Sequence, residues 1–115
     1  MKLVCAIVKP FKLDQILESL ERIGIQSLTV TETKGYGHKG HIELYRGSEF
    51  TVKFLPMIKI EVAVAADQVE EVIDAIHCAA KTGRIGDGKI LIFELDRMLS
   101  IRPDETGETA PPLAA

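Results

Sequence analysis

The chain has 115 residues, of which 46% are hydrophobic and 27% charged, a composition that suits one globular domain and excludes an intrinsically disordered segment. No apolar run approaches the about 20 residues of a membrane-spanning helix, and the N-terminus lacks a small-residue cleavage site, so we expect a cytoplasmic protein without membrane insertion. Tail carboxylates account for the net charge of −3. The rest lacks the basic stripe that a nucleic-acid partner requires.

The first half of the chain predicts a strand, a helix and a second strand. Residues 2–8 are apolar in both alternating sets, which is typical of a central strand in a sheet covered on both faces. A helix is predicted over 12–23, ended by Gly24, and a strand over 25–34. The helix has apolar residues at helical spacing: Leu13, Ile16, Leu17, Leu20 and Ile23.

The second half repeats this order. A strand is predicted over 58–65, then a helix with Asp67 as its N-cap and Glu70 as the reciprocal partner, and a last strand over 90–96. The order βαβ–βαβ predicts an α+β, ferredoxin-like βαββαβ fold. Because both helices cover the same sheet face, we expect copies of the chain to cover the other face in a homo-oligomer.

Two segments and two cysteines lie outside this plan. Residues 35–57 show no sustained period and contain four glycines, which predicts a long functional loop. Residues 103–115 are predicted to be a tail that becomes ordered only against a partner. Cys5 and Cys78 form no C-x-x-C pair, and we interpret both as small buried hydrophobic residues.

The most informative segment is Thr-Gly-Arg-Ile-Gly-Asp-Gly-Lys at 82–89. Its glycines permit positive φ, and consecutive N–H groups in such a turn bind anions. Arg84 and Lys89 add positive charge, which suits a polyphosphate. The alternative from the motif alone is a helix C-cap at Gly83 followed by a tight turn at 86–88.

Several motifs along the chain together match one known family. They are Lys9-Pro-Phe-Lys-Leu-Asp14, Thr29-Val-Thr-Glu32, Lys34-Gly-Tyr-Gly37, Lys39-Gly-His-Ile-Glu-Leu-Tyr-Arg-Gly47, Phe54-Leu-Pro56, Lys59-Ile-Glu61 and the segment 82–89. Through these motifs the chain resembles, from residue 1 to residue 102, the PII signalling proteins, trimeric regulators of nitrogen metabolism. The resemblance implies a homotrimer that binds ATP or ADP at subunit clefts, with magnesium accompanying ATP. The loop at about 36–54 would be the T-loop that contacts a target protein, and 82–89 the B-loop that holds phosphates.

The resemblance also implies the site residues. For Ile7, Thr29 and Ala63, ordinary strand packing is the alternative to a binding role. The implied target-binding residues are Tyr45, Arg46, Gly47, Ser48, Glu49 and Phe50. The implied nucleotide-binding residues are Ile7, Thr29, Gly35, Gly37, His38, Glu61, Ala63, Arg84, Gly86, Asp87, Gly88, Lys89 and Arg102.

Four positions depart from the family pattern. Phe50 replaces the tyrosine that is nucleotidylated, so modification at that position is excluded. The segment 35–40 is one residue shorter and lacks a glutamine that helps hold magnesium and 2-oxoglutarate, for which His38 would be a poor substitute. Met57 replaces a lysine that pairs with the effector, at a cost of about 2–5 kcal/mol. Ser100 replaces an arginine. We therefore predict a weakened 2-oxoglutarate response.

The leading hypothesis is a non-catalytic, nucleotide-sensing regulator whose target belongs to nitrogen metabolism or is a membrane transporter. A slow nucleotide-hydrolysing protein of the same fold is one alternative, with Glu61 and Asp87 as the only nearby carboxylates. A metal-responsive trimer that uses His38 and His41 is another, although two histidines in a loop are a weak metal signal. We predict no resident metal ion and no catalytic residue.

Overall fold

A computed structural model describes residues 1–36, 42–45, 48–51 and 54–102. These residues form two helices and six strands, with short 3-10 turns at 10–12 and 66–68. The elements are β1 (Lys2–Val8), α1 (Leu13–Arg22), β2 (Thr29–Tyr36), β3 (Ile42–Tyr45), β4 (Ser48–Thr51), β5 (Phe54–Val64), α2 (Val69–Ala80) and β6 (Gly88–Glu94).

The main sheet has the strand order β2-β5-β1-β6, and all its neighbours are antiparallel. This is the order of the ferredoxin-like fold, so the predicted fold class is confirmed. β1 is central, as predicted from its two apolar sets, because it pairs with β5 on one side and β6 on the other. None of the helices in the described segments is long and apolar enough to cross a membrane.

Helices α1 and α2 pack on one face of this sheet. They bury an aliphatic core in which Ile16, Leu20, Ile60 and Val72 are fully inaccessible to solvent. The two helices are also linked by the Ser19 hydroxyl, which donates a hydrogen bond to the Ala75 carbonyl at 3.3 Å. The strand residues in this core alternate along β1 and β5, as expected for strands with one face toward helices: Val4, Ala6, Val8, Ile58, Ile60, Val62 and Val64.

The opposite face, here called the open face, has no helix over it in the described part of the chain. It combines apolar with charged side chains. Leu91 and Phe93 of β6 remain 38% and 48% exposed. By strand register, the open face contains Leu3, Cys5 and Ile7 of β1, Thr29 and Thr31 of β2, Lys59, Glu61 and Ala63 of β5, and Lys89, Leu91 and Phe93 of β6.

Element boundaries differ from the sequence predictions. β2 begins at Thr29 instead of residue 25: its pairing with β5 starts at Thr29 and Glu61, although β5 itself continues to Val64. Ile25 and Leu28 instead pack against the core from the linker. Gly24 ends the helical segment with φ of 93°, as predicted. β6 begins at Gly88, two residues earlier than predicted, because β1 pairs with it from Val8 onward.

The predicted N-cap of α2 is wrong. Asp67 lies inside the 3-10 turn Ala66–Gln68, and the N-cap position is Gln68, without a side-chain capping bond. The Gln68 amide donates to the Ala65 carbonyl at 2.9 Å. The backbone turn therefore leads into the helix without the side-chain cap that the sequence suggested.

The segment 35–57 is more regular than predicted. β2 and β5 remain paired as far as Tyr36 and Phe54, whose ring centroids lie 5.1 Å apart. Within the segment, β3 and β4 form a two-stranded hairpin. Pro56 is tolerated because β5 has only β2 beside it there. The predicted tail at 103–115 lies outside the described residues.

The two cysteines also differ from each other. Cys5 is buried, as predicted, but Cys78 is exposed, so the prediction that both are buried is wrong for Cys78. Cys78 lies near the C-terminal end of α2, away from the four buried positions of that helix. The buried positions of α2 are Val69, Val72, Ile76 and Ala80, and residue 78 does not share their helical spacing.

Candidate functional site: loop 82–89 and the open face

The glycine-rich segment connects α2 to β6. The helix ends at Ala80, and Lys81 is its extended C-cap residue, whose amide donates to the His77 carbonyl at 3.1 Å. Gly83 has a left-handed φ of 82°, but it lies beyond the cap. The alternative interpretation of Gly83 as the helix C-cap is therefore wrong, and its positive φ serves the loop itself.

Gly88 is fixed by a close approach of two strands. Its φ is 117°, and a Cβ placed there would lie 1.9 Å from the Ile7 carbonyl oxygen. Val8 and Gly88 are paired in the register of β1 and β6. Only glycine fits this position, so Gly88 fixes the point where the loop ends and β6 begins.

The Asp87 carboxylate organises the loop from inside. One oxygen accepts hydrogen bonds from the amides of Thr82, at 2.7 Å, and Gly83, at 3.0 Å, and the other accepts from the Thr82 hydroxyl. The Arg84 amide in turn donates to the Thr82 hydroxyl oxygen at 3.1 Å. The bonds from Thr82, together with Lys9 and Gly83, hold the pKa of Asp87 far below its usual range, so this carboxylate is ionised.

Lys9 is the cation that faces Asp87. Its Nζ lies 3.2 Å from Asp87 Oδ1, and the two side chains are only 16% and 24% exposed. We call the set Lys9, Thr82 and Asp87 the loop brace. Through it, the end of β1 is joined to a loop almost eighty residues later in the chain, and the loop has a defined shape without a ligand.

Two lysines flank Ile7 on the open face, next to the loop. In the register, Ile7 pairs with Lys59 on one side and with Lys89 on the other. Because directly paired residues share a face and neighbouring strands lie about 5 Å apart, the three Cα atoms span about 10 Å. Arg84 adds an exposed cation in the loop. Positive charge is therefore concentrated where the loop meets the sheet.

Thr29, Glu61 and Cys5 form the next row on the open face. Thr29 pairs with Glu61, and Glu61 pairs with Cys5. Burial, followed by the Glu61 carboxylate, raises the pKa of the Cys5 thiol, although Lys59 acts in the opposite direction. Ala63 is two residues further along the same face of β5. The structure thus brings Ile7, Thr29, Glu61, Ala63 and Lys89 onto one surface.

Other predicted residues are placed differently. Gly35 lies in β2, and a Cβ there would lie 3.3 Å from Met57 Cγ, so the methionine side chain contacts the glycine. Arg102 is exposed at the last described position. Tyr45 pairs with Ser48, Leu44 with Glu49 and Glu43 with Phe50 in the β3–β4 hairpin. Predicted residues outside the described segments are Gly37, His38, His41, Arg46 and Gly47.

Two further features bear on the choice of site. Among residues 1–36 and 54–102, no three His, Cys, Asp or Glu side chains lie together as metal ligands. A shallow groove lies elsewhere, between the end of α1 and the following linker, lined by Leu17, Glu21, Gly24, Ile25, Gln26 and Leu28. It lacks lysine and arginine, so it is a poor site for an anion, and the loop is the better candidate.

Sequence reasoning missed Lys9, Thr82 and Lys59 as site residues. Lys9 and Thr82 were inside matched motifs, but only the pairing of β1 with β6 shows that Lys9 reaches Asp87. Lys59 could have been found from strand alternation, because it precedes Glu61 by two residues and must share its face. The signal was present in the predicted strand 58–65.

The structure is a ferredoxin-like α+β domain with a braced, cationic loop at one end of its sheet. A family model described as nitrogen regulatory protein P-II matches residues 1–105. The chain is 60% identical over 111 residues to nitrogen regulatory protein GlnK of Escherichia coli strain K12, covering 96% of this chain and 99% of GlnK. It is 57% identical over 111 residues to nitrogen regulatory protein P-II of Rhizobium etli, with the same coverage of both chains.

A third relative, nitrogen regulatory protein P-II of Rhizobium meliloti, is 55% identical over 108 residues, which cover 93% of this chain and 96% of the relative. The chain therefore belongs to the P-II family of nitrogen regulatory proteins. These relatives are named as regulatory proteins and not as enzymes. The chain is accordingly a nitrogen regulatory signalling protein, which confirms the regulator part of the leading hypothesis from its sequence.

Proposed function

We propose that the chain senses adenine nucleotides by binding the phosphates of ATP or ADP at loop 82–89. The observation that supports this most directly is the braced loop beside Lys59 and Lys89. Within the described residues, the amides of Ile85 and Gly86 donate no hydrogen bond to the protein, and they are the loop donors for phosphate oxygens. Lys89 supplies the nearest cation on the open face, where a point charge suits a phosphate group.

The adenine ring is assigned to the open face beyond the lysines. Thr29 and Glu61 provide a hydroxyl and a carboxylate in one row, and Ile7 and Ala63 provide apolar surface. Such a mixture suits a heterocycle with polar edges. Arg102 would reach the phosphates from a neighbouring copy, and magnesium would accompany ATP through its phosphate oxygens.

The open face also supports a homotrimer as the working form. Leu91 and Phe93 are large, exposed and adjacent on β6, next to the half-buried Leu3. Copies of the chain would cover these side chains, and each nucleotide would then lie at a boundary between two copies. Sedimentation equilibrium of the purified protein is expected to give three times the chain mass of 12.6 kDa, and a monomer mass would contradict this assignment.

Control of a target would pass through β2 and β5. Both strands contribute open-face residues and continue past the sheet as far as Tyr36 and Phe54, where segment 37–53 begins. A nucleotide that prefers one arrangement of these strand ends shifts the segment between states that bind or release a target. Residues 45–50 would contact that target. We propose that the chain is a cytoplasmic regulator and that its target is a protein of nitrogen metabolism or a membrane transporter.

The response to 2-oxoglutarate is proposed to be weak. Met57 occupies the place of a cationic side chain and lies against Gly35, so this position offers no charge to a dicarboxylate. Isothermal titration with 2-oxoglutarate, in the presence of ATP and magnesium, is expected to give little heat. Binding in the micromolar range with strong dependence on ATP would overturn the proposal.

The nucleotide proposal is tested by titrating the protein with ATP, ADP and AMP. Replacing Lys89 with glutamine should weaken ATP binding by about tenfold, the value of one charge-assisted hydrogen bond. Lys81→Gln is the matched control, because Lys81 is an exposed lysine at the other end of the same segment. Equal ATP affinity of the wild type and Lys89→Gln, or no ATP binding at millimolar concentration, would refute it.

A further inference from the structure

We propose that Lys9 is a positioning residue for the phosphate-binding loop, acting through Asp87 and not by contact with the nucleotide. The inference rests on the proposed function, because it concerns the same loop. It assigns a role to a side chain that follows β1 and lies outside the loop 82–89. It also gives Asp87 an internal task in place of direct ligand contact.

The geometry around Asp87 supports this role. Both carboxylate oxygens are engaged by the protein: the amides of Thr82 and Gly83 and the Thr82 hydroxyl donate to them, and Lys9 Nζ lies at 3.2 Å. Lys9 is the only cation within salt-bridge distance of Asp87 in the described residues. The carboxylate is therefore fully engaged within the loop brace, whereas the amides of Ile85 and Gly86 donate to no acceptor in the described residues.

Lys9 is well placed to act as a fixed support. Its backbone follows directly on Val8, which pairs with Gly88, so Lys9 begins where the two strands diverge. Pro10 restricts the next φ, and the Lys9 carbonyl accepts a hydrogen bond from the Lys12 amide at 3.1 Å. The side chain is largely shielded from solvent. A lysine held at both its backbone and its ammonium group loses little further entropy when a ligand binds.

The charge balance explains why a cation is needed. An ionised aspartate without a partner, close to a bound triphosphate, would repel it and would also leave the loop amides without an anchored acceptor. Lys9 compensates the negative charge of Asp87. It also keeps the carboxylate in the orientation in which it accepts hydrogen bonds from the Thr82 and Gly83 amides. Removing Lys9 is therefore expected to disturb the loop without any contact between Lys9 and the nucleotide.

The first experiment compares ATP affinity for Lys9→Met, Lys9→Arg and the wild type by calorimetry. Lys9→Met is expected to weaken ATP binding by about tenfold, and Lys9→Arg to restore most of it, because arginine can keep the ion pair. Lys12→Met is the matched control: Lys12 is a lysine of the adjacent 3-10 turn whose Nζ donates to Gln15 at 3.2 Å. A wild-type affinity for Lys9→Met would overturn the proposal.

The second experiment separates action through Asp87 from direct contact with ATP. Lys9→Met, Asp87→Asn and the double variant are each titrated with ATP under the same conditions, which completes a double-mutant cycle for the pair. If Lys9 acts through Asp87, its replacement has little effect in the Asp87→Asn background. Equal losses in both backgrounds would show that Lys9 acts independently of Asp87, and would overturn the proposal.

A third measurement does not depend on nucleotide. Hydrogen exchange of the Thr82 and Gly83 amides in the nucleotide-free protein reports the brace directly. These amides should exchange faster in Lys9→Met than in the wild type and in Lys12→Met. Unchanged exchange would overturn the positioning role. Absence of ATP binding by the wild type would instead refute the proposed function while leaving the loop result interpretable.

Discussion

The two faces of the central sheet have opposite characters. The face toward α1 and α2 is aliphatic, and its central side chains, such as Val4, Ala6 and Ile60, are fully buried within a single chain. The open face mixes lysines, threonines and a glutamate with exposed Leu91 and Phe93. The helix-covered face therefore stabilises the fold of the single chain, whereas the side chains of the open face are available for the proposed ligand binding and assembly.

The largest expected effect comes from the same substitution on opposite sides of the sheet. Leu20→Ala empties a fully buried position beneath the sheet and should lower the free energy of unfolding by about 2–5 kcal/mol. Leu91→Ala, at a position 38% exposed, should cost far less within a chain and should instead reduce the oligomeric fraction on dilution. Denaturant unfolding and sedimentation measure the two effects. Equal unfolding losses with unchanged assembly would break the comparison.

A second pair of variants tests how tightly the loop joins the sheet. Gly88→Ala places a Cβ against the Ile7 carbonyl and should destabilise the protein by about 3 kcal/mol, through both the clash and the left-handed φ. Gly83→Ala has a similar φ but nothing within 4 Å of its Cβ, so it should cost only about 1–2 kcal/mol. Thermal unfolding of both variants measures the difference, and an equal loss would contradict the assigned contact.

The loop brace makes a smaller, pH-dependent contribution to the free energy of unfolding. The pKa of Asp87 is lower in the folded chain than in the unfolded chain. Its stabilising effect is therefore complete above the ordinary aspartate pKa of about 4 and declines as the pH falls below it. Asp87→Asn should be less stable than the wild type at neutral pH, and the difference should shrink in acid. A constant difference from pH 7 to pH 2 would contradict this assignment.

The smallest effect is a difference in thiol reactivity. Cys5 is 5% exposed on the open face, and burial raises its pKa, whereas Cys78 is exposed on α2. Iodoacetamide should label Cys78 first and Cys5 slowly, because the thiolate is the reactive form. Mass spectrometry of the labelled chain gives both rates. Faster labelling of Cys5 would show that the open face is looser than described.

Much of the fold could be predicted from periodicity. The two apolar sets of β1, the alternation in β5 and the apolar spacing in α1 follow from which side chains the fold buries, and this information is local. Strand ends were less predictable, because Ile25 and Leu28 pack against the core from the linker and β2 begins only at Thr29, although β5 continues to Val64. The N-cap at Asp67 failed for a related reason: a backbone turn replaced the side-chain cap.

The site was predictable in part. The glycines at 86 and 88 and the cation at 89 were evident in the sequence, but the motif alone also allowed a helix cap followed by a tight turn. The brace was not, since Lys9 and Asp87 come together only through the pairing of β1 with β6. The roles of Gly37, His38 and Arg46 remain predictions from resemblance.

The central claim is that loop 82–89 and the adjoining open face bind the nucleotide. It is tested most directly by adding ATP to uniformly ¹⁵N-labelled protein and following the amide resonances. We expect the largest chemical-shift changes at the amides of Ile85, Gly86 and Lys89, with smaller changes at Ile7 and Thr29. Shifts concentrated in the α1 groove at Leu17–Leu28, or no shift at millimolar ATP, would contradict it.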